Sequence, residues 1–187
     1  MIIDEVQTGF ARTGKMFAIE NYDVEPDIMT MAKALGNGAP ISCFISRSEI
    51  ADKYTRPGAS TLGGNPVSST AGIAVLDYIE EHNLVEKSRV RGKQLKDGLI
   101  ALQKKYPVIG DVRGLGLMVG AELINPDKSP APDKLEFVVE TMKDRGFLIG
   151  KNGIARNVLA FQPPLVISEE NINDLLNNLD DVMSQVK

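Results

Sequence analysis

Met1-Ile2-Ile3-Asp4-Glu5-Val6-Gln7-Thr8-Gly9-Phe10 is the stretch from which the fold is read. Met1 to Val6 is apolar except for a pair of acids, the pattern of a short buried strand whose C-terminal end carries charge. A carboxylate in that place is costly unless a cation or a dense set of donors meets it. The chain opens almost inside this strand, with no turn or helix ahead of it, whereas a buried parallel strand needs neighbours on both sides. The expectation is that sheet neighbours lie upstream.

Moving outward, residues 16–22 suit a short helix, and Pro26-Asp27 breaks the chain. Asp27 to Met31 reads as a second short apolar strand running into Ala32-Lys33. The Gly36-Asn37-Gly38 turn and Pro40 follow, then an apolar strand from Ile41 to Ile45. This order predicts Lys33 on a loop facing a cleft. A long helix is expected from Asn65-Pro66 with Ile73, Leu76 and Ile79 on one face, and another from about Leu84 to Lys105 with Leu95, Leu99 and Leu102 as its stripe. Leu115 to Leu123 reads as a strand entered through Arg113-Gly114. Asp133 and Glu136 form a capping-box-like start to a helix over 134–145, stopped at Gly146. Strands around Leu148 and from Val158 to Phe161 follow. The last helix starts at Ser168, with Glu169 and Glu170 favourably placed for its dipole. Alternating strands and helices define an α/β chain, divided near residues 78–84 into units of 1–80 and 81–187.

Bulk properties narrow the function. The chain has 187 residues, 43% hydrophobic and 25% charged, with a net charge of −4. This is ordinary globular composition, with no electrostatic reason to expect nucleic acid or an anionic membrane surface as partner. No apolar run approaches the roughly 18 residues of a membrane span. The single Cys43 excludes an internal disulfide and fits the reducing cytoplasm, and the single His82 excludes a His-cluster metal site.

Three stretches carry chemistry. In the first, Asp4 ends a strand where a protonated pyridine nitrogen would suit it, Val6 could lay its methyls on a flat ring, and Gln7 could donate to a phenolate. A strand-end acid capping a neighbouring helix is an equal alternative. In the second, Ala32-Lys33-Ala34-Leu35-Gly36, small neighbours allow a confined lysine prepared for Schiff-base chemistry, although most lysines are simply surface cations. In the third, Ser60-Thr61-Leu62-Gly63-Gly64-Asn65-Pro66 leads into a helix, which suits an anion or equally a flexible turn with an N-cap.

Asp4 through Lys15, Pro26-Asp27-Ile28, Ala32 through Gly36, Ser60 through Pro66, Val112 through Glu122 and Pro163 through Ile167 together resemble the class III aminotransferases. The resemblance covers essentially the whole chain in family order. It implies the pyridoxal-phosphate (PLP) fold type I, aspartate aminotransferase-like, with residues 1–80 the end of the large cofactor domain and 81–187 the small C-terminal α/β domain. It implies that Lys33 holds pyridoxal 5'-phosphate as a Schiff base and moves the substrate proton. By the same resemblance Asp4 meets the pyridine nitrogen, Val6 the ring, Gln7 the ring hydroxyl, and Thr61 the phosphate of a neighbouring subunit's cofactor in a homodimer. Substrates would be an amino donor and a 2-oxo acid.

Two departures from the family pattern bear on activity. Full-length members are far longer, and the half absent here holds the loop that grips the phosphate within the same subunit and the aromatic residue that stacks on the ring. A truncated or split polypeptide with an incomplete site is therefore expected, one that associates with itself or with an N-terminal half. Many relatives also carry, where this chain has Ala160, an arginine that pairs with the substrate carboxylate, a contact alanine cannot make. A racemase or lyase of the same family, or a non-catalytic remnant, are the alternatives to an aminotransferase.

Overall fold

Residues 1–186 are described by a computed structural model, and the chain forms two compact units, Met1–Glu86 and Lys87–Lys187. In the first unit, β1 (Ile2–Asp4) pairs in parallel with β2 (Ile28–Met31), and β2 pairs antiparallel with β3 (Cys43–Ser46). The sheet order is β1-β2-β3, and the register sets Asp4 opposite Thr30. β1 ends at Asp4 rather than at Val6, because the Val6 N–H turns back to Asp4 Oδ1 at 2.9 Å. It is not a buried strand either. Ile2 is 66% exposed, since β1 has β2 on one side and no strand on the other, whereas Met29 and Met31 of the central strand are buried.

The helix expected over 16–22 is a single 3-10 turn, Ala18–Asn21, whose Glu20 carboxylate accepts from the Phe17 N–H at 2.7 Å. After the short α1 (Ser48–Ala51), α2 (Pro66–Glu81) begins under an Asn65 cap that accepts from the Ser68 N–H at 2.9 Å. α2 turns Ser68, Gly72 and Ile79 inward and leaves Ile73 and Leu76 outside. The apolar stripe is there, but the small residues choose the buried face. Gly72 faces Leu35 and Ile41, with room for a Cβ at 3.6–3.7 Å from them.

The boundary after Glu86 falls in the first turn of α3 (Leu84–Lys105), where the sequence places it at residue 80. The second unit is a four-stranded antiparallel sheet of order β4-β5-β7-β6, built from β4 (Ile109–Leu115), β5 (Met118–Leu123), β6 (Gly150–Asn152) and β7 (Val158–Phe161). Its core joins Leu95, Leu99 and Leu102 of α3 with Leu135, Val138 and Met142 of α4 (Pro132–Asp144) and Ile172, Leu179 and Val182 of α5 (Glu169–Met183). Val119, Ala121, Leu123, Leu159 and Phe161 supply the sheet side of the same cluster. Each fully buried leucine contributes about 1.5–3 kcal/mol.

The single strand expected over 115–123 is instead a hairpin. α3 sets its turn by presenting Ser88, Gly92 and Lys96 on one face. Ser88 Oγ accepts from the Leu117 N–H at 3.3 Å, and Lys96 Nζ donates to the Gly114 carbonyl at 2.9 Å. A Cβ at Gly92 would stand 2.0 Å from the Gly116 carbonyl oxygen, so only glycine lets helix and turn meet. α4 starts on Pro132 without a side-chain cap, so the capping box expected there does not form. The strand expected near Leu148 begins at Gly150, and Leu148 is exposed. α5 starts as expected, with Ser168 accepting from the Asn171 N–H at 3.1 Å.

α3 and α5 are latched at Asp180, whose carboxylate accepts from Lys105 at 2.7 Å and from the Tyr106 hydroxyl at 2.6 Å. Lys105 first, and Tyr106 after it, hold the Asp180 carboxyl below the ordinary 3.8. Because the folded value lies below the unfolded one, this stabilisation is complete above about pH 4–5 and fades as pH falls through the folded value. Asp180→Asn is therefore expected to lower the melting temperature by about 1–3 °C near pH 7, a partly exposed pair being screened by solvent. The gap between the two proteins should narrow in calorimetry as pH is lowered from 7 to below 3.8; a gap that does not change with pH would remove the ion pair as its cause.

Candidate active site

Parallel pairing brings Asp4 and Lys33 to one end of the sheet. Asp4 closes β1, and Lys33 follows β2 two residues after Met31. The Asp4 carboxylate is exposed, and both of its hydrogen bonds reach Oδ1, from the Val6 N–H at 2.9 Å and the Thr30 hydroxyl at 3.3 Å. Neither donor is charged. Val6 is half-buried in the turn beyond β1, where a strand position was expected, and Gln7 next to it is exposed.

The buried acid of the pair is Glu5, not Asp4. Glu5 is 0% exposed, and its carboxylate accepts from the Thr8 hydroxyl and from the Ile19 N–H at 2.8 Å. Its backbone N–H extends the β1–β2 ladder to the Thr30 carbonyl at 2.9 Å, and its own carbonyl accepts from the Gly9 N–H at 3.0 Å. One residue thus clamps the turn carrying Val6 and Gln7 to the segment Ala18–Asn21. Behind it Phe10 packs edge-on against Phe17, with ring centroids 5.7 Å apart. Burial pulls the Arg12 guanidinium below its ordinary value. Phe10 and Ala11 adopt φ of 60° and 72°, a left-handed pair costing roughly 1–2 kcal/mol per residue, which their complete burial sustains.

Lys33 opens a 3-10 turn, Lys33–Leu35, with φ of 44°, another left-handed non-glycine position. The turn is closed by hydrogen bonds from Leu35 N–H to Ala32 (3.0 Å) and from Gly36 N–H to Lys33 (3.2 Å). A Cβ at Gly36 would meet the Ala39 carbonyl oxygen at 2.1 Å and an Ile41 methyl at 2.7 Å, so the turn depends on glycine there. Lys33 itself is exposed; its neighbours Ala32, Ala34 and Gly36 are too small to enclose it in the confined pocket expected from the sequence. An open depression lined by Phe17, Ile19, Glu20, Val24 and Met29, among others, includes neither Asp4 nor Lys33.

Thr61 is exposed on the loop before α2. That loop is shaped by the Gly63 N–H on Ser60 Oγ (3.0 Å) and by Asn65 Nδ2 on the Leu62 carbonyl (2.9 Å). Among the described residues Thr61 shares no hydrogen bond with Asp4 or Lys33. In the second unit Ala160 sits centrally in the sheet, with Gly120 and Gly150 as its register partners on either side. The row Gly120–Ala160–Gly150 lies on the face opposite the core residues Ala121 and Leu159, and it continues on β4 to Arg113, whose guanidinium is paired with Asp111 and Glu122.

Glu5 and Thr30 were missed in the sequence. The adjacent acids of Asp4-Glu5 were a signal for the first, since at the end of a strand neighbouring side chains point to opposite faces and only one of two acids can look outward. Nothing in the sequence singles out Thr30 without the register.

A family model described as aminotransferase class III matches residues 1–183. The acetylornithine aminotransferase of Caldanaerobacter subterraneus is 45% identical over 188 residues, covering 100% of this chain and 45% of that protein. The leucine/methionine racemase of Thermococcus litoralis is 41% identical over 190 residues, covering 100% of this chain and 42% of that protein. Among solved structures, a phospholyase from Arthrobacter in complex with phosphoethanolamine matches with a TM-score of 0.96 at 37% identity, covering 100% of this chain and 45% of that one. The chain belongs to the class III aminotransferase family, and its α/β fold is PLP fold type I. Members of this family use PLP. The chain spans less than half the length of these relatives. Among the described residues, no group of three or more His, Cys, Asp or Glu side chains is placed to hold a metal ion, and no helix is long and apolar enough to cross a membrane.

Two glycine substitutions separate the Lys33 turn from the helix behind it. Gly36→Ala should cost about 1–3 kcal/mol by overpacking and lower the denaturation midpoint, whereas Gly72→Ala, whose Cβ would find contacts no closer than 3.6 Å, should leave it nearly unchanged. Equal denaturation midpoints for the two variants would contradict the geometry of the turn.

Proposed function

We propose that this chain is part of a PLP-dependent aminotransferase, passing an amino group from an amino acid or amine to a 2-oxo acid. The observation that carries the reading is the placement of Asp4 and Lys33 at the same, carboxyl, end of the parallel pair β1/β2. The residues present fit the cofactor. Asp4 offers a carboxylate approached only by neutral donors, and among the described residues Lys33 is in no ion pair. An anion and a free amine at one strand end match a group with a cationic ring nitrogen and an aldehyde. When bound, PLP supplies that aldehyde to capture amines and a ring that withdraws electrons from the substrate Cα.

The chain's own residues then divide the work. Asp4 keeps the proton on the ring nitrogen, Val6 covers the ring and Gln7 donates to its hydroxyl. Lys33 would hold the cofactor through its Nζ, and the same amine would serve as the base that moves the substrate Cα proton. Thr61 serves the phosphate of a neighbouring subunit's cofactor. Residues 1–80 would belong to the large domain and 81–187 to the small one, in a cytoplasmic homodimer or in association with an N-terminal half. In that reading the isolated chain holds an incomplete site.

A second reading keeps the cofactor and changes the reaction to racemisation or elimination. Ala160 favours it, because alanine cannot grip a substrate carboxylate in the way the family resemblance leads one to expect, and Arg113, two places along the same row, is already paired with Asp111 and Glu122. Product analysis after incubation with an amino donor and a 2-oxo acid separates the two.

The cofactor assignment is tested directly. Chain incubated with PLP and then borohydride should carry the phosphopyridoxyl group on Lys33 by peptide mass mapping, and Lys33→Ala should lose it. Label spread over other lysines would remove the assignment. Asp4→Asn should weaken PLP binding about tenfold or more while leaving the fold intact, as expected for losing a hydrogen bond between charged groups. Equal affinity in the two proteins would make Asp4 structural.

A further inference from the structure

The register of the first sheet places one polar side chain of β2 directly opposite Asp4. Within β2, Ile28, Met29 and Met31 are apolar and Thr30 alone can donate a hydrogen bond from its side chain. Thr30 Oγ1 does so, to Asp4 Oδ1 at 3.3 Å, on the oxygen that also accepts from the Val6 N–H at 2.9 Å. The two donors come from different segments, the turn after β1 and the strand β2. The Val6 N–H belongs to Asp4's own chain segment and by itself lets the carboxylate swing with its turn. Thr30 stands on the strand that continues within three residues to Lys33, so its hydroxyl refers the carboxylate to the same strand that carries the amine. A threonine on a strand is stiff at χ1, which makes the hydroxyl a fixed point rather than a mobile one.

We propose that Thr30 is a positioning residue, whose hydroxyl on Asp4 Oδ1 turns the carboxylate so that Oδ2 is presented to the ring nitrogen at a set distance from Lys33. The inference rests on the reading that Asp4 and Lys33 hold PLP. The competing account is that Thr30 is simply a β-branched residue suited to a strand. Thr30→Val separates them, since it keeps the shape and the strand preference and removes only the donor. Thr30→Ser restores the donor and removes the branch.

The test uses PLP itself on the whole chain. Cofactor affinity is measured by titration, ring-nitrogen protonation by NMR of PLP labelled with 15N in the ring, and melting temperature without PLP. Thr30→Val is expected to bind PLP about threefold to tenfold more weakly, the range for losing one hydrogen bond of ordinary net strength. Its ring-nitrogen resonance should move toward the unprotonated position while its melting temperature without PLP stays within about 2 °C of the parent. Thr30→Ser should return both affinity and resonance to parental values. A Thr30→Val protein with parental affinity and resonance would overturn the inference alone, and so would a loss of melting temperature with an unmoved resonance. If the parent chain neither binds PLP nor takes label on Lys33, the reading of the site fails and the inference falls with it.

Discussion

Everything proposed for this chain depends on the parallel pairing of Ile2–Asp4 with Ile28–Met31. Parallel strands in register end together, so side chains on the residues that follow them share one edge of the sheet. That is why Asp4 and Lys33, far apart in sequence, come to one place, and why Thr30 lies beside Asp4. A slip of one residue would turn every side chain of β1 to the other face and send Asp4 inward. The apolar Met29 and Met31, buried on the inner side of the central strand, oppose that slip.

The second constraint is the buried Glu5. A carboxylate withdrawn from water is tolerable only with its oxygens satisfied, and here a hydroxyl and a backbone N–H do this. The same bonds fasten the turn after β1 to a segment more than ten residues away in sequence, which restrains the positions of Val6 and Gln7. Two left-handed residues, Phe10 and Ala11, sit in the loop so fastened, and Lys33 adopts the same region on its own turn. At Phe10 and Ala11 the strain is held by their burial, with Phe10 packed edge-on against the half-buried Phe17.

Much of this was legible in the sequence, and the failures have identifiable causes. α3 and α5 were read correctly because their apolar residues recur at helical spacing over many turns, and Ser168 marks a clean start. The α2 face was misread because Ser68 and Gly72, not the larger Ile73 and Leu76, face inward; periodicity weighs size, while close helix approach selects smallness. The hairpin at Leu115–Met118 was read as one strand because its turn is made by contact with α3, through Gly92 and Ser88, which local patterns do not contain. At the site, Asp4 and Lys33 could be named from their motifs; Glu5 was marked only by its place beside Asp4, and Thr30 not at all. Their roles follow from which face and which register each residue takes, and those are properties of the paired strands.

The central claim is that Asp4 and Lys33 hold one cofactor between them. A crystal structure of the chain soaked with PLP tests it most directly. The account predicts continuous density from Lys33 Nζ to the cofactor's aldehyde carbon, with the ring nitrogen about 2.7–2.9 Å from an Asp4 carboxylate oxygen, the length of a charge-assisted hydrogen bond. Density joined to another lysine, or a ring whose nitrogen faces away from Asp4, would contradict it.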